Sequence, residues 1–429
     1  MYIFEVKISN IMSFDDITLS IENSKSPCFW NVILGDNSTG KSSVLRCIAI
    51  GLSDQNTAAT LIKSWGADLL RDNNKPGKII VTLGKEGSGP LFTITTRIIP
   101  KYSMELVQPK IIRPKEYEAY FWNELFICGY GIQRSGGGSE ISHKYSPLEA
   151  VMTLFDYYYP IQNIELILHR ISRERPDREN KILTLIKEVL MLDEDQSIIL
   201  TPKGLKFIFD GREVFLDYIG DGYSGTATWL IDFLGWQLYA DRMSKDQQLS
   251  DLVGIILLDE LELALHPKLQ RNIVRNLKEH FPKVQFIVTT HSPIIAAGAA
   301  DFQDARLFPF RLDKDKTILI EDIPSLRGRS VDQVLSSMVF GMYITLSPGS
   351  VSDIDRFSEL MSKSRDQNEE TEFQKLRKIL EDAMPIGTTE AERLVEKAIL
   401  DALEKLLNEK PSKDLELIMK DKLNKLDKY

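Results

Sequence analysis

Cysteine is scarce in this chain: among 429 residues there are only Cys28, Cys47 and Cys128. They form no Cys-x-x-Cys pair, which excludes a disulfide framework or a zinc site as the organising element. Histidine is nearly as rare, with five in all and none grouped, so no nuclease centre of the HNH kind is expected. No stretch of about 18 apolar residues occurs, and no membrane-spanning helix is predicted. The opening segment MYIFEVKISNIMSF alternates as a strand does and lacks the basic, apolar and small-residue order of an export signal. The cytoplasm is therefore the expected compartment. Positive charge is not in excess: 53 Lys and Arg face 62 Asp and Glu, a formal net charge of -9. That argues against a generally basic nucleic-acid binder and leaves room for local basic patches. No repeat period and no sustained heptads are present, so long coiled-coil arms are not expected.

What remains is a composition of 43% hydrophobic and 27% charged residues, suited to a globular protein of two or three domains with a large core. YIFEVKIS, ITLSIEN and FWNVILG read as strands, followed by a helix from Lys41 to about Leu52 with its stripe at Val44, Leu45, Ile48 and Leu52. KIIVTLGKE and LFTITTRII flank a Gly-Ser-Gly-Pro turn and predict a hairpin. ELFICGYG is a further strand. From Pro147 to Asp193 the pattern is helical, broken by Pro160 and Pro176, and SIILTPKGLKFIFDG returns to strands. LVGIILLDE and VQFIVTT are continuous apolar runs between helices, the mark of a parallel sheet covered on both faces. The expected class is α/β: a mostly parallel sheet, an N-terminal antiparallel β region, a helical lobe near 147–193 and a C-terminal helical tail. The expected division is 1–324 and 325–429.

GDNSTGKS, from Gly35 to Ser42, fits the phosphate-loop pattern G-x-x-x-x-G-K-[ST], and the strand before it and helix after it supply the right context. Gly35 and Gly40 let the backbone wrap phosphates, with Asp36, Asn37, Ser38, Thr39 and Ser43 completing the loop. Lys41 reaches the β and γ oxygens, and the Ser42 hydroxyl ligates Mg²⁺. GIILLDE places Asp259 and Glu260 at the carboxyl end of a buried strand, where ligands of open α/β sheets bind. Asp259 is the expected Mg²⁺ partner and Glu260 the group that polarises the attacking water. FIVTTHSP puts His291 at the end of the next strand, in reach of a γ-phosphate. GYGIQR places Gln133 to sense the metal, while Tyr130 and Arg134 fit a structural or a recognition role equally well. In FLDYIGDGYSGTATWLIDFL a glycine-flanked turn opens onto a buried helix, and backbone N–H groups there point outward.

In this order, the phosphate loop, GYGIQR, IGDGYS, ILLDE with LALHP, and TTHSP resemble the ABC-type ATPase head of the SMC and RecF class, as does ISNIMSF ahead of the first loop. The resemblance covers roughly residues 1–300. It implies ATP and Mg²⁺ as cofactors, and a dimer in which ATP lies between the phosphate loop of one subunit and the signature turn of the other. That turn reads Leu-Ser-Gly-Gly-Gln, or Leu-Ser-Asp-Gly-Tyr in compact relatives. Here the register holds Ile219, Gly220, Asp221, Gly222 and Tyr223, so Gly220 replaces a serine. One neutral hydrogen bond nets about 0.5–1.5 kcal/mol, so its loss is expected to weaken closure rather than abolish it. His266 stands where transporters carry a dimer-contacting aspartate, a form similar to compact OLD- and Septu-type ATPases.

OLD-type enzymes carry a Toprim nuclease after the histidine strand. Here SDIDRF offers Asp353 and Asp355 without an apolar strand before them and reads as a helix start capped by Ser352. RGRSVDQVLSSMVFGM and the charged helices after it resemble the Septu PtuA and retron-associated ATPases of anti-phage systems. The likeness implies an ATPase switch that senses or holds DNA, forms a homodimer or higher oligomer, and controls a separate nuclease effector of HNH type. A RecF-like repair clamp and a non-hydrolysing ATP-dependent scaffold are the alternatives. In the tail, Phe373, Leu376, Leu380 and Met384 share a helical face, as do Leu394, Ala398, Ile399 and Leu403 after a capping box of Thr389 and Glu392.

Overall fold

The structure is a computed structural model that describes residues 1–23, 26–66, 68–99, 103–111, 124–134, 138, 142, 144–240, 242, 247–321, 323, 325–337, 339–340, 352–353, 356–357, 359–360 and 367–383. The chain forms two compact units, Met1–Tyr343 and Ile344–Tyr429.

Strands β1 (Tyr2–Ile11) and β2 (Phe14–Ser20) open the first unit and are followed by a short pair, β3 (Glu22–Asn23) and β4 (Ser26–Pro27). Next come β5 (Trp30–Gly35), helices α1 (Lys41–Gly51) and α2 (Gln55–Trp65), and strands β6 (Gly77–Lys85), β7 (Gly89–Ile99) and β8 (Ser103–Ile111). Five of these strands form an antiparallel sheet in the order β2-β1-β6-β7-β8. On β2 the alternation is plain: Phe14, Ile17 and Leu19 are buried while Asp15, Asp16, Thr18 and Ser20 face solvent, the period of a half-buried strand. The hairpin expected from Gly87–Pro90 forms, with the β6–β7 register slipping between Leu83 and Gly84.

After β9 (Ile127–Tyr130) the lobe is built from α3 (Ile164–Glu174), α4 (Pro176–Val189) and the meander β10 (Ser197–Thr201), β11 (Gly204–Phe209) and β12 (Arg212–Phe215). Pro176 opens α4 at its first turn, where its missing N–H costs nothing. Then come α5 (Asp221–Tyr239), β13 (Gly254–Leu258), α6 (Pro267–His280), β14 (Val284–Thr290), α7 (Pro293–Ala300), β15 (Ala305–Asp313), β16 (Lys316–Leu319) and α8 (Val331–Leu335).

The central sheet runs β16-β15-β5-β14-β13-β9, parallel except for β16 at one edge. Its apolar runs are continuous because both faces are covered. Ile33, Ile255, Leu257 and Ile287 join the core under α1 and the antiparallel sheet. Val32, Leu34, Ile256, Leu258, Phe286 and Val288 face α5, α6 and the lobe. Helix α5 is buried from Thr226 to Tyr239, as a helix sandwiched inside a core must be. Helix α6 is amphipathic and buries Leu269, Ile273, Val274 and Leu277. No described helix is long and apolar enough to cross a membrane.

In the second unit, α9 (Gln367–Ala383) buries Phe373 and Leu376 beside Leu360, and Phe357 stacks on Phe373 with ring centroids 4.7 Å apart. Arg356 spans both oxygens of Glu372 at 3.0 and 2.9 Å. The Leu380 side chain, Met384, the Thr389–Glu392 capping box and the second tail stripe lie outside the described residues.

Candidate nucleotide-binding site

Strands β9, β13, β14 and β5 lie side by side, with Tyr130 opposite Leu258, Leu258 opposite Val288 and Thr290 opposite Leu34. This register brings their carboxyl ends to one edge of the sheet. The segments leaving them are Gly131–Arg134, Asp259–Glu260, His291, and the loop from Gly35 to Ser43. Four stretches remote in sequence thus meet where parallel α/β sheets bind ligands.

The loop is bare backbone by construction. Gly35 and Gly40 have φ of 147° and 88°. A methyl at Gly35 would lie 2.5 Å from the Phe310 carbonyl oxygen, and one at Gly40 would lie 2.7 Å from the Phe14 ring. Asp36, Asn37 and Ser38 are exposed, Thr39 and Lys41 are buried, and Ser42 and Ser43 are half-buried in the first turn of α1. No side chain caps that helix, so its first N–H groups are left for an external acceptor. Thr39 Oγ1 donates to the Asp36 carbonyl at 2.8 Å, and Thr317 Oγ1 donates to the Thr39 carbonyl at 2.9 Å. The Lys41 ammonium donates to the carbonyls of Gly35 at 2.9 Å and Asp36 at 2.8 Å. Burial lowers its pKa, opposed by the charges of Asp259, Glu260, Glu262 and Asp36.

Asp259 is buried, and Thr289 organises it. Thr289 Oγ1 donates to Asp259 Oδ1 at 2.5 Å and accepts the Glu260 N–H at 2.7 Å. Glu260 itself takes a left-handed conformation, φ 49°. The Glu262 carboxylate accepts the His291 N–H, which ties the ends of β13 and β14 together. His291 is half-buried, and Ser292 after it caps α7 and donates to Gln270 at 2.6 Å. Arg134 is 6% exposed, and its guanidinium donates to the carbonyls of Gly131 at 3.0 Å, Asp259, and Glu260 at 2.7 Å. Burial brings its pKa down to about 10, opposed by Asp259, Glu262 and Glu260. Gln133 precedes it on the same edge, half-buried.

The expected signature turn opens α5. Gly220 is the N-cap of α5 at φ -56°, ψ 141°, with Asp221 exposed, Gly222 buried and Tyr223 half-buried. The Gly220 carbonyl takes the N–H groups of Tyr223 and Ser224 at 2.9 and 3.1 Å. Gly222 packs against the LALHP turn, since a methyl there would come within 2.3 Å of the Ala264 carbonyl oxygen. Among the described residues no hydrogen bond joins this turn to the phosphate loop of the same chain. His266 is exposed and caps α6, its Nδ1 accepting the Lys268 N–H at 3.2 Å.

Tyr130 is a core residue: its hydroxyl donates to Asp232 of α5 at 2.9 Å. Glu262 and Thr289 were not expected from the sequence. Glu262 carried a faint signal in Asp-Glu-x-Glu; Thr289 carried none, being one of two threonines at a strand end. A cleft of about 600 Å³ lies beside Ser9, Asn10, Met12 and Lys78. In its lining Arg71 pairs with Asp315 and Lys75 with Asp72, and Asp15 pairs with Lys316.

Fold and site together resemble the ABC-type ATPase head class: a loop of phosphate-loop pattern, a carboxylate-ended strand and a histidine-ended strand meet on one edge, and the Gly220–Tyr223 turn opens a separate helix. A family model described as "AAA domain, putative AbiEii toxin, Type IV TA system" matches residues 146–297. Septu protein PtuA of Bacillus mycoides (strain KBAB4) is 27% identical over 402 residues, covering 93% of this chain and 53% of the relative. The Retron Vc95 probable ATPase of Vibrio cholerae serotype O1 biovar El Tor is 34% identical over 126 residues, 29% of this chain and 24% of that protein. The chain spans about half the length of the Septu relatives it matches. An SMC head bound to the C-winged helix domain of ScpA aligns with a TM-score of 0.45 at 14% identity, over 75% of this chain and 97% of that one. The chain is therefore similar to Septu PtuA and the retron ATPases.

Proposed function

We propose that this chain is an ATP-binding and hydrolysing switch whose heads pair around nucleotide and control a separate effector nuclease in anti-phage defence. The observation that carries the ATPase reading is the meeting of Lys41, Asp259, Glu260 and His291 on one sheet edge. The residues suit the cofactors. Two glycines whose Cβ positions are filled, an uncapped helix N-terminus and a buried lysine make a cradle for a triphosphate. The Ser42 hydroxyl and the Asp259 carboxylate, with Gln133, are the donor set for Mg²⁺, a hard cation that prefers oxygen ligands. Bound there, Mg²⁺ would offset the negative charge of the phosphate oxygens. Lys41 exchanges its loop carbonyls for the β and γ oxygens. Glu260, held by Thr289, orients and polarises the attacking water, and His291 contacts the γ-phosphate. The turn from Gly220 to Tyr223 makes no described hydrogen bond to its own loop, and it is assigned to the loop of a second head.

The defence part of the reading, and an effector of HNH type, rest on the likeness to PtuA and the retron ATPases. The DNA part rests on the resemblance to the SMC and RecF class alone. The test is phosphate release by the purified chain, followed by co-purification with the product of the neighbouring gene and mass determination with and without ATP. Turnover and an ATP-dependent assembly are expected. Nucleotide binding without phosphate release leaves the scaffold alternative; turnover with no associated nuclease leaves the repair clamp.

A further inference from the structure

Arg134 has no part in the reading above, yet it lies buried at the middle of the site's edge. All three of its described hydrogen bonds go to main-chain carbonyls, those of Gly131, Asp259 and Glu260. Burying a guanidinium costs several kcal/mol unless it is well paired, so a mere backbone clamp would be better built from a neutral donor. The charge fits here because Asp259, Glu260 and Glu262 surround it.

Glu260 explains what the clamp is for. A non-glycine residue in the left-handed region is strained. A hydrogen bond from a charged donor is among the stronger ones and helps to hold that conformation. Without it, Glu260 relaxes toward ordinary φ and its carboxylate moves. The Arg134 Cβ also lies beside α5: a methyl built on Gly225, in the second turn of that helix, would be 3.8 Å from it. Its neighbour in sequence is Gln133. The side chain therefore hydrogen-bonds the Gln133 loop and the backbone of both carboxylates, with α5 next to its base.

We propose that Arg134 is a positioning residue that sets the Glu260 backbone for hydrolysis and relays to it the state of the Gln133 loop and the signature helix. The proposal rests on the ATPase reading of Asp259 and Glu260. Full-length wild type, Arg134→Met, Arg134→Ala and Arg134→Lys are compared for steady-state phosphate release, binding of a fluorescent ATP analogue and thermal unfolding. Arg134→Met is expected to lose about 100-fold in kcat, the scale of a small misplacement of a reacting group. Its KM and analogue affinity stay within about threefold, since only transition-state interactions are lost. Millimolar methylguanidinium restores part of the rate in Arg134→Ala. Arg134→Lys keeps the charge but cannot span the carbonyls, and falls between. Wild-type turnover in Arg134→Met, a raised KM at unchanged kcat, or no rescue of a folded, nucleotide-binding Arg134→Ala each overturns the proposal. If Arg134→Met does not fold, the kcat–KM split in Arg134→Lys decides on the same criteria. If wild type itself releases no phosphate, the ATPase reading has failed and the proposal falls with it.

Discussion

Lys41 is buried at the start of α1, and its ammonium donates to two loop carbonyls that the proposed phosphate oxygens would replace. Lys41→Ala is expected to abolish nucleotide binding in a folded protein; tight retained binding of an ATP analogue would remove the loop from the site. Glu260→Gln keeps the Thr289 and Arg134 contacts to its backbone, so it should bind ATP, stall hydrolysis and trap the paired heads. Turnover at the wild-type rate would take Glu260 out of the reaction. Two glycines two residues apart make opposite predictions. Gly220 has negative φ and no atom within 4 Å of a Cβ, so serine fits. Gly220→Ser should tighten the ATP-bound dimer by about 1 kcal/mol per site through the added hydroxyl, read by sedimentation with ATP. A looser dimer would contradict it. Gly222→Ala drives a methyl into the Ala264 carbonyl and should destabilise by roughly 1–3 kcal/mol. An unchanged unfolding midpoint would show that the two turns do not touch.

Helix α5 carries more than the signature turn. Asp232, within it, is 3% exposed and accepts hydrogen bonds from Tyr130 of β9 at 2.9 Å and Gln162 at 3.1 Å. Burial pushes its pKa up to about 7, against the hydrogen bonds from Tyr130, Gln162 and Trp236 that favour the carboxylate. A carboxyl whose pKa rises on folding favours the folded state at low pH, fully so below its unfolded value of 3.8. That advantage is lost as pH climbs through about 7. Asp232→Asn cannot ionise, so the stability of wild type relative to the variant should fall between about pH 4 and 7, the range set by those two values. Denaturant midpoints measured across that range check it, and parallel curves would place the titration elsewhere. The same helix shows where sequence reading reaches and where it stops. Its apolar run was legible because nearly every residue from Thr226 onward is buried. Helix α2 was not, since only Ala58 and Leu61 are buried and the stripe is too thin to stand out. Strand β15 was missed as well: it contains Pro309 and buries only Phe308, Pro309 and Phe310. Yet β15 lies directly beside β5 and walls the phosphate loop with the Phe310 carbonyl.

At the scale of the molecule, no described hydrogen bond joins the Gly35–Ser43 loop to the Gly220–Tyr223 turn. The proposed reaction assigns that turn to a second copy, and on that proposal ATP is expected to raise the mass in solution. The unit Ile344–Tyr429 is proposed to serve assembly or effector docking. A chain ending at Tyr343 should then bind and hydrolyse ATP while losing its partner, by pull-down of the neighbouring gene product. Retained recruitment would place the docking surface on the first unit.

The sequence by itself determined the chemistry-bearing segments: GDNSTGKS, GIILLDE, FIVTTHSP and IGDGYSG each carry a local pattern of glycine, apolar run and polar end. Such patterns are legible because helix starts, tight turns and buried strands impose rules over a few residues. Tertiary structure alone decided which segments share a site and what steadies them. Parallel strands join residues far apart in the chain, so the register that sets Thr290 beside Leu34 and Leu258 beside Tyr130 has no local signature. Arg134 on the Glu260 carbonyl and Thr289 under Asp259 follow from that register. Their partners include backbone atoms common to every residue, which leave no mark in the sequence at the other end of the bond.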